Sequence, residues 1–358
     1  MRPLLTILTL LMLAHPLAAP AQETAKLPDA DYKAFTERAI TGYIRPAMNR
    51  FAEATGALER VTGGGCTAVA PIQDSFTGVV RAWSGISFLR FGPLSADNRA
   101  ERIHFWPDRK GTGLRQLQRA LAKRDPALTD PQQLAEQSVA LQGLGALEFL
   151  LYGLPVPAEE DAAAWRCKVI RTIATNLATI GQALVADWTD PEGYSARLLS
   201  PGANNPVYRA AFEPANEVLG SMTSALQSLA QLKLDHLAPS EDGKPHPKNV
   251  AFWRSHLARV ALAADFAALE RYTEESGLTA LLPADDQPMM RALSIEFENA
   301  ARSIDRLEHP VTEAVSIEED QIQLRYLRRI VEGLHTIIAG QAAPAAGLGV
   351  AFTALDGD

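Results

Sequence analysis

A single carboxylate lies within an apolar stretch of the sequence, in the segment GLGALEFLLYG that begins at Gly143. A second glycine, Gly145, follows, and Glu148 is then surrounded by leucine, alanine and phenylalanine. A carboxylate among apolar side chains is costly unless it is paired or hydrogen-bonded. Glu148 is therefore a candidate ligand acceptor at the edge of a pocket. The alternative is a structural carboxylate that pairs with Arg81, Arg90 or another basic residue.

The two glycines of this segment also allow two interpretations. Each one costs the interior of a helix roughly 1 kcal/mol relative to alanine. They leave room in a pocket, or they let two helices approach closely. A dinucleotide-binding GxGxxG motif is excluded, because Glu148 stands where its third glycine would be and no strand precedes the segment. The sequence also has no GxSxG, Walker or HExxH motif that would indicate a hydrolase or a nucleotide triphosphatase.

Polar and aromatic side chains that could line a ligand cleft occur in two further segments. The segment APIQDSFTGVVRAW contains Gln73, Asp74, Arg81 and Trp83, and the segment FWPD contains Trp106 and Asp108. Helix capping by Asp74 and core packing by the two tryptophans are the structural alternatives.

Metal-binding and disulfide patterns are sparse. Glu332 and His335 have the ExxH spacing of di-iron bundles, but such sites combine two ExxH motifs with two further glutamates, a set that this pair does not complete by itself, which favours a helix-face histidine. Cys66 and Cys167 are the two cysteines, and neither has a neighbouring zinc-ligand spacing. They form one disulfide in an oxidising compartment, or they are two small buried side chains.

The elements that must position these residues are predicted to be helices. Apolar residues recur with helical spacing along most of the chain, whereas the alternation typical of strands is almost absent. The predicted class is therefore all-α. The predicted helices are 31–62, 73–89, 131–152, 165–187, 205–234, 250–275, 286–307 and 318–340.

A break between two long helical stretches suggests two domains. The segment LLSPGANNPVYRA contains two prolines, a glycine and two asparagines, which are helix-breaking and turn-forming residues. We therefore predict two packed helical bundles, 22–200 and 201–358, related at most by a diverged duplication. The polar loop 234–250, which contains His236 and His246, is predicted to lie on the surface.

The first 21 residues have the features of an export signal. A basic residue, Arg2, is followed by an apolar run and by the small residues APA before Gln22. The apolar run is about half of the roughly 20 residues that span a bilayer, and we expect no transmembrane anchor elsewhere. The formal net charge of −8 argues against nucleic-acid binding, which requires a basic face. These features predict a periplasmic protein.

The segment GLGALEFLLYG resembles the signature of the imelysin family, in which Gly-x-His-x-x-Glu is followed by aromatic and aliphatic residues and a glycine. The matching positions are Gly143, Ala146, Glu148, Leu150, Leu151 and Gly153. Four further stretches resemble the family in the same order: 82–93, 102–108, 252–272 and 346–358. The resemblance thus covers nearly the whole mature chain. It implies an exported, two-bundle helical protein of the bacterial envelope, associated with iron uptake, in a family labelled as peptidases.

The sequence departs from the family pattern at one important position. Gly145 stands where the family has histidine, so the pair of side chains that could share a metal on one helix face is lost. Transition metals usually need three or four protein ligands, which disfavours a metallopeptidase built on this motif. Ser255 follows FWR at a position that resembles the second-half pattern of the family. The resulting candidate pocket residues are Gly143, Gly145, Glu148, Gln73, Asp74, Arg81, Trp83, Arg90, Trp106, Asp108 and Ser255.

Three functions remain open. The preferred hypothesis is a periplasmic binding or accessory protein of iron acquisition, with a pocket near Glu148 at the bundle interface and with envelope iron-uptake components as partners. Iron or another divalent metal is its candidate cofactor, with Glu148 as the candidate metal ligand. The first alternative is a metallopeptidase that assembles a metal around Glu148 from distant residues. The second is a structural envelope protein with a sealed interface and Glu148 in a salt bridge.

Overall fold

The computed structural model describes residues 27–155, 157–239 and 243–349. Every regular element within them is helical and no strand occurs there, so the predicted all-α class is confirmed. The predicted export signal, residues 1–21, and the end of the C-terminal motif, residues 350–358, lie outside the described residues.

The longer helices form the framework of the molecule. They are α1 (Asp29–Arg38), α2 (Arg45–Gly63), α3 (Ala70–Ser84), α4 (Thr112–Ala122), α5 (Leu144–Tyr152), α6 (Glu160–Thr189), α7 (Phe212–Ser228), α8 (Ala258–Glu275), α9 (Pro288–Asp305) and α10 (Glu318–His335). Shorter α-helices are Arg99–Ile103, Pro131–Ala135, Tyr194–Leu199, Val311–Ala314 and Ala343–Ala345. Single 3₁₀ turns are Gly92–Leu94, Ala96–Asn98, Pro126–Thr129, Val139–Leu141, Leu234–His236, Pro247–Asn249 and Leu278–Leu281. Wider π-helical turns, Ala39–Ile44, Leu229–Lys233 and Thr336–Ala342, continue α1, α7 and α10.

The first bundle is built on the long contact between α2 and α6, and α2 also packs against α3. Gly181 of α6 permits this close approach, because a Cβ there would lie 2.7 Å from the Thr55 hydroxyl oxygen of α2. A disulfide between Cys66 and Cys167 joins the loop after α2 to α6 and confirms that alternative for the two cysteines. A crosslink of this sequence separation, 101 residues, restricts the unfolded chain by an amount worth about 4–5 kcal/mol.

The second bundle contains α8, α9 and α10, with α7 packed against α10. The helix α10 has an apolar stripe that is buried at Leu324, Leu327, Val331 and Leu334, which recur with the three- and four-residue spacing of one helix face. Burial of this stripe against α7 and α9 explains why the segment folds as an amphipathic helix.

Helices from both halves of the sequence share one hydrophobic core. The first-half helix α3 packs against α8, where the Ser84 hydroxyl donates a hydrogen bond to the Ala261 carbonyl oxygen at 3.2 Å. The first helix, α1, packs against α7, and the Tyr32 hydroxyl donates to the Ala346 carbonyl oxygen at 2.9 Å. The buried apolar residues of both halves, from Tyr32 to Leu348 along the chain, belong to one cluster in space. The domain boundary between residues 200 and 201 stays a prediction.

The prediction of one helix over 131–152 is wrong, because the chain leaves the helical conformation twice in this stretch. Pro131–Ala135 is followed by the short turn Val139–Leu141, whose first residues are capped by the Ser138 hydroxyl. Gly143 is then extended, with φ −121° and ψ −158°, and α5 begins only after it. Both glycines of the opening segment therefore lie at the start of a helix rather than inside one.

The prediction of a helix from residue 250 is also wrong, because α8 begins at Ala258. Phe252 and His256 have φ of 62° and 59°, in the left-handed region that helices cannot pass through. Residues 250–257 form instead a tight, largely buried turn that presents its backbone to α5.

One helical stretch, Glu160–Leu199, is long and apolar enough by composition alone to cross a membrane. Within its most apolar window, 61% is buried against the rest of the protein, as in the central helix of a bundle. The absence of a membrane anchor stays a prediction from the sequence.

Candidate functional site

The carboxyl group of Glu148 is held by a residue that is 107 positions away in sequence. Glu148 lies in the second turn of α5 and is 4% exposed. Its Oε1 atom accepts hydrogen bonds from the backbone N–H of Ser255, at 2.9 Å, and from the Ser255 hydroxyl, at 2.8 Å. The buried turn before α8 thus supplies the hydrogen bonds that a buried carboxyl group requires.

Burial raises the pKa of the Glu148 carboxyl above its usual range. The two hydrogen bonds from Ser255 and the positive charge of Arg254 act in the opposite direction but do not cancel this effect. No salt bridge within the described part of the chain includes Glu148. The alternative in which Glu148 pairs with Arg81 or Arg90 is therefore wrong, and Arg90 instead pairs with Glu101 at 2.8 Å.

Glu148 contributes to the wall of a first cavity of about 450 Å³. Gly145, Phe149, residues 104–109 and residues 248–254 form other parts of this wall. Gly145 is exposed at its edge, so the cavity opens to solvent. A Cβ atom built on Gly145 would meet no atom within 4 Å. The position that carries histidine in the family pattern therefore faces open space.

Positive charge predominates around the first cavity. Arg109, Lys248 and Arg254 line it, whereas the acids in its wall are Glu148 and Asp108. The Asp108 carboxylate accepts hydrogen bonds from the backbone N–H groups of Thr112, at 2.8 Å, and Leu114, at 3.0 Å, and so caps α4. Because the three cationic side chains outnumber the two acids, the lining favours an anionic guest.

Three stacked rings separate the first cavity from a second one. His104 lies parallel to Phe252, with ring centroids 4.6 Å apart, and parallel to Trp106, at 6.1 Å. All three rings line both cavities. Burial lowers the pKa of His104 to about 3, and the charges of Lys233 and Arg90 act in the same direction, so its imidazole is neutral.

The second cavity has a volume of about 460 Å³ and lies between the two bundles. Trp83 and Arg90 are the further candidate residues that line it. Its charges are balanced, because Arg90 pairs with Glu101 and Lys233 pairs with the buried Asp265. The two cavities therefore differ in charge although they share a wall.

The other candidate residues have different positions. Gly143 lines the first cavity, but its main role is steric, because a Cβ atom there would lie 2.2 Å from the Ile103 carbonyl oxygen and 2.4 Å from that of Arg102. Gln73 and Asp74 lie near the start of α3 and line neither the first nor the second cavity.

The donor set around Glu148 does not fit a protein-bound transition metal. Within the described residues, no group of three histidine, cysteine, aspartate or glutamate side chains lies close enough to hold an ion. Three protein ligands are the usual minimum for catalytic zinc. Among the residues that the structure describes, the ExxH pair Glu332 and His335 likewise has no third ligand to complete a site, and Glu332 pairs with Arg328 at 3.3 Å.

The family model described as imelysin, within the peptidase family M75, matches residues 39–337. The chain belongs to the imelysin family. A crystal structure of an imelysin-like protein from Psychrobacter arcticum is similar, with a TM-score of 0.75 and 16% sequence identity over 91% of this chain and 99% of that chain. A structure from Parabacteroides distasonis, described as an iron-regulated protein A precursor, has a TM-score of 0.72 and 13% identity, over 91% and 98%. No curated protein matches the chain.

Sequence reasoning missed several residues of this imelysin-family site. His104 stands within a family-like stretch, but nothing in its local sequence shows that it separates two cavities. The polar sequence around His236 predicts a surface position, whereas this histidine is half-buried and lines the first cavity. Arg109 and Lys248 lie outside the family-like stretches and Arg254 lies within one, and the sequence does not show that the three side chains line the same cavity.

The two glycines provide a first test of this geometry. We expect Gly143→Ala to lower the free energy of unfolding by about 2 kcal/mol or more, because the new methyl group would displace the backbone of Arg102 and Ile103. The matched control Gly145→Ala should change it by less than about 1 kcal/mol, in the stabilising direction, because the site is open and helical. Chemical denaturation measures both, and equal losses would contradict the assignment.

The raised pKa of Glu148 provides a second test. The folded state holds this proton to higher pH than the unfolded state, so ionisation above the usual value of 4.5 favours unfolding. Glu148→Gln removes this penalty and keeps an acceptor for Ser255. We expect the variant to gain stability relative to wild type as pH rises from about 4.5. A difference in unfolding free energy that is constant from pH 4 to pH 8 would contradict the shift.

Proposed function

We propose that this imelysin-family chain is an exported binding protein that takes a small organic anion into the first cavity, as an accessory component of iron acquisition. The observation that carries the proposal is a solvent-open cavity of about 450 Å³ with Glu148 buried in its wall. A sealed interface would have favoured a purely structural protein, and a cluster of three metal-binding side chains would have favoured a metallopeptidase.

The lining of the first cavity supports a guest that carries both negative charge and a ring. Arg109, Lys248 and Arg254 supply cationic groups. The guanidinium carbon of Arg254 lies 4.4 Å from the ring centroid of Trp253. Phe149 and Trp253 line the cavity and offer aromatic faces. Guanidinium groups recognise carboxylates by paired hydrogen bonds, and aromatic walls add apolar contact area.

The link to iron rests on the family and on one similar structure. The Parabacteroides distasonis protein is described as iron-regulated. Because the described residues supply no three-ligand site, the chain would handle iron through an organic anion that chelates it rather than through its own side chains. Envelope iron-uptake components are the partners that such a carrier requires.

Export is supported by two features of the chain. Residues 1–21 have the pattern of a cleavable signal. The disulfide between Cys66 and Cys167 suits an oxidising compartment such as the bacterial periplasm. Together they favour a periplasmic location.

Titration with a ring-bearing, iron-chelating anion tests the proposal. Trp106 and Trp253 line the first cavity, so binding of 2,3-dihydroxybenzoate, alone or with ferric iron, should change tryptophan fluorescence saturably. Gly145→Leu fills the open space at the cavity edge and should weaken binding by about tenfold or more. The matched control Gly333→Leu places the same side chain at another helical glycine with free space, remote from the cavity, and should leave binding unchanged.

Two outcomes would overturn this proposal. Equal affinity in wild type and Gly145→Leu would show that the ligand does not occupy the first cavity. Stoichiometric iron or zinc in the ligand-free wild type, abolished by Glu148→Ala, would show a direct metal site and would revive the metallopeptidase alternative.

A further inference from the structure

A third cavity, of about 360 Å³, lies in a groove where α2, α3 and α8 meet and shares no lining residue with the first or second cavity. Small residues form its floor, so that the helices leave a gap that larger side chains would fill. These residues are Ala47, Ala54, Gly78, Ala82, Ala264 and Ala268.

Three arginines, one from each helix, line this cavity. They are Arg50 of α2, Arg81 of α3 and Arg271 of α8. The guanidinium carbon atoms of Arg50 and Arg271 lie 5.9 Å and 5.8 Å from the ring centroid of Tyr43, which also lines the cavity. Three cationic groups from separate helices thus converge on one space.

Few carboxylates compensate these charges. Arg271 pairs with Glu275 at 3.2 Å. Within the described residues, no carboxylate oxygen lies within 4.0 Å of the guanidinium nitrogens of Arg50 or Arg81. Glu275 and, more weakly, Glu53 act on Arg50 only from longer distances.

Contact with Tyr43 accounts for only part of this arrangement. Cation–π contacts give Arg50 and Arg271 a packing role, but Arg81 makes no such contact with Tyr43 and is exposed at the edge of the cavity. Burial and the neighbouring Arg271 lower the pKa of Arg50, as expected where like charges are held together. Guanidinium groups remain charged under these conditions, so an anion between them would relieve the repulsion.

We propose that the third cavity is a second binding site, which takes a multiply charged oxyanion through Arg50, Arg81 and Arg271. The shared chemistry is several negatively charged oxygen atoms on one small molecule, as in a phosphate or a polycarboxylate. Planar guanidinium groups bind such oxygens by paired, charge-assisted hydrogen bonds. The site is separate from the first cavity and does not depend on Glu148.

Calorimetric titration of the purified chain with inorganic phosphate, citrate and acetate tests this site. Ionic strength is held at about 0.15 M, where the screening length of about 8 Å suppresses diffuse attraction. We expect one equivalent of phosphate or citrate to bind and acetate not to bind. The tighter of the two anions assigns the site to phosphate esters or to polycarboxylates.

Substitutions locate the bound anion. Arg81→Ala removes an exposed side chain and should weaken binding by about tenfold or more, the equivalent of one lost charge-assisted contact. Arg291→Ala, an exposed arginine of α9 that is remote from the third cavity, is the matched control and should leave affinity unchanged. Gly145→Leu, which fills the first cavity, should also leave it unchanged.

Three results would overturn this inference. They are the absence of saturable binding by both phosphate and citrate, equal weakening by Arg81→Ala and Arg291→Ala, and loss of binding in Gly145→Leu. The last result would place the anion in the first cavity and would bear on the proposed function instead.

Discussion

The hydrogen bonds between the Glu148 carboxyl and Ser255 determine how the rest of the site is arranged. A carboxyl group that is 4% exposed must have its polar atoms satisfied within the protein. The partner comes from the other half of the sequence, in a turn where Phe252 and His256 adopt left-handed conformations. This requirement brings α5 against the turn before α8 and so gives the first cavity its wall.

The same turn also controls the neighbouring cavity. Phe252, which precedes Ser255 by three residues, stacks on His104 and completes the ring partition between the first and second cavities. Burial keeps His104 neutral, so the partition adds no charge of its own. The cavities are consequently distinguished by their outer residues, with excess cations around the first and balanced ion pairs around the second.

Much of the fold could be predicted from sequence, because helical periodicity and the family-like segments are local signals. The helix breaks at Gly143 and before Ala258 could not be predicted, since their causes are contacts with residues distant in sequence. Gly143 is required by the backbone of Ile103, and the turn at Ser255 is engaged by Glu148. The same limit explains why the resemblance suggested Ser255 as a site residue without identifying its partner.

The candidate site shows this contrast again. A carboxylate in an apolar segment can be recognised in the sequence, and this signal predicts Glu148 as a site residue. The convergence of Arg109, Lys248 and Arg254 depends on how separate loops fold together, and no spacing along the chain records it. The sequence alone shows that Gly145 replaces the family histidine. The structure is needed to show that this position faces a cavity.

A double-mutant cycle between Glu148→Ala and Ser255→Ala tests the central claim most directly. The unfolding free energies of the wild type, both single variants and the double variant give the coupling between the two side chains. The cycle isolates the bond from the Ser255 hydroxyl, since the backbone N–H of residue 255 remains in the variants, and this bond predicts a coupling of about 1 kcal/mol or more. Additive effects, within about 0.5 kcal/mol, would contradict the claim that this contact joins α5 to the turn before α8.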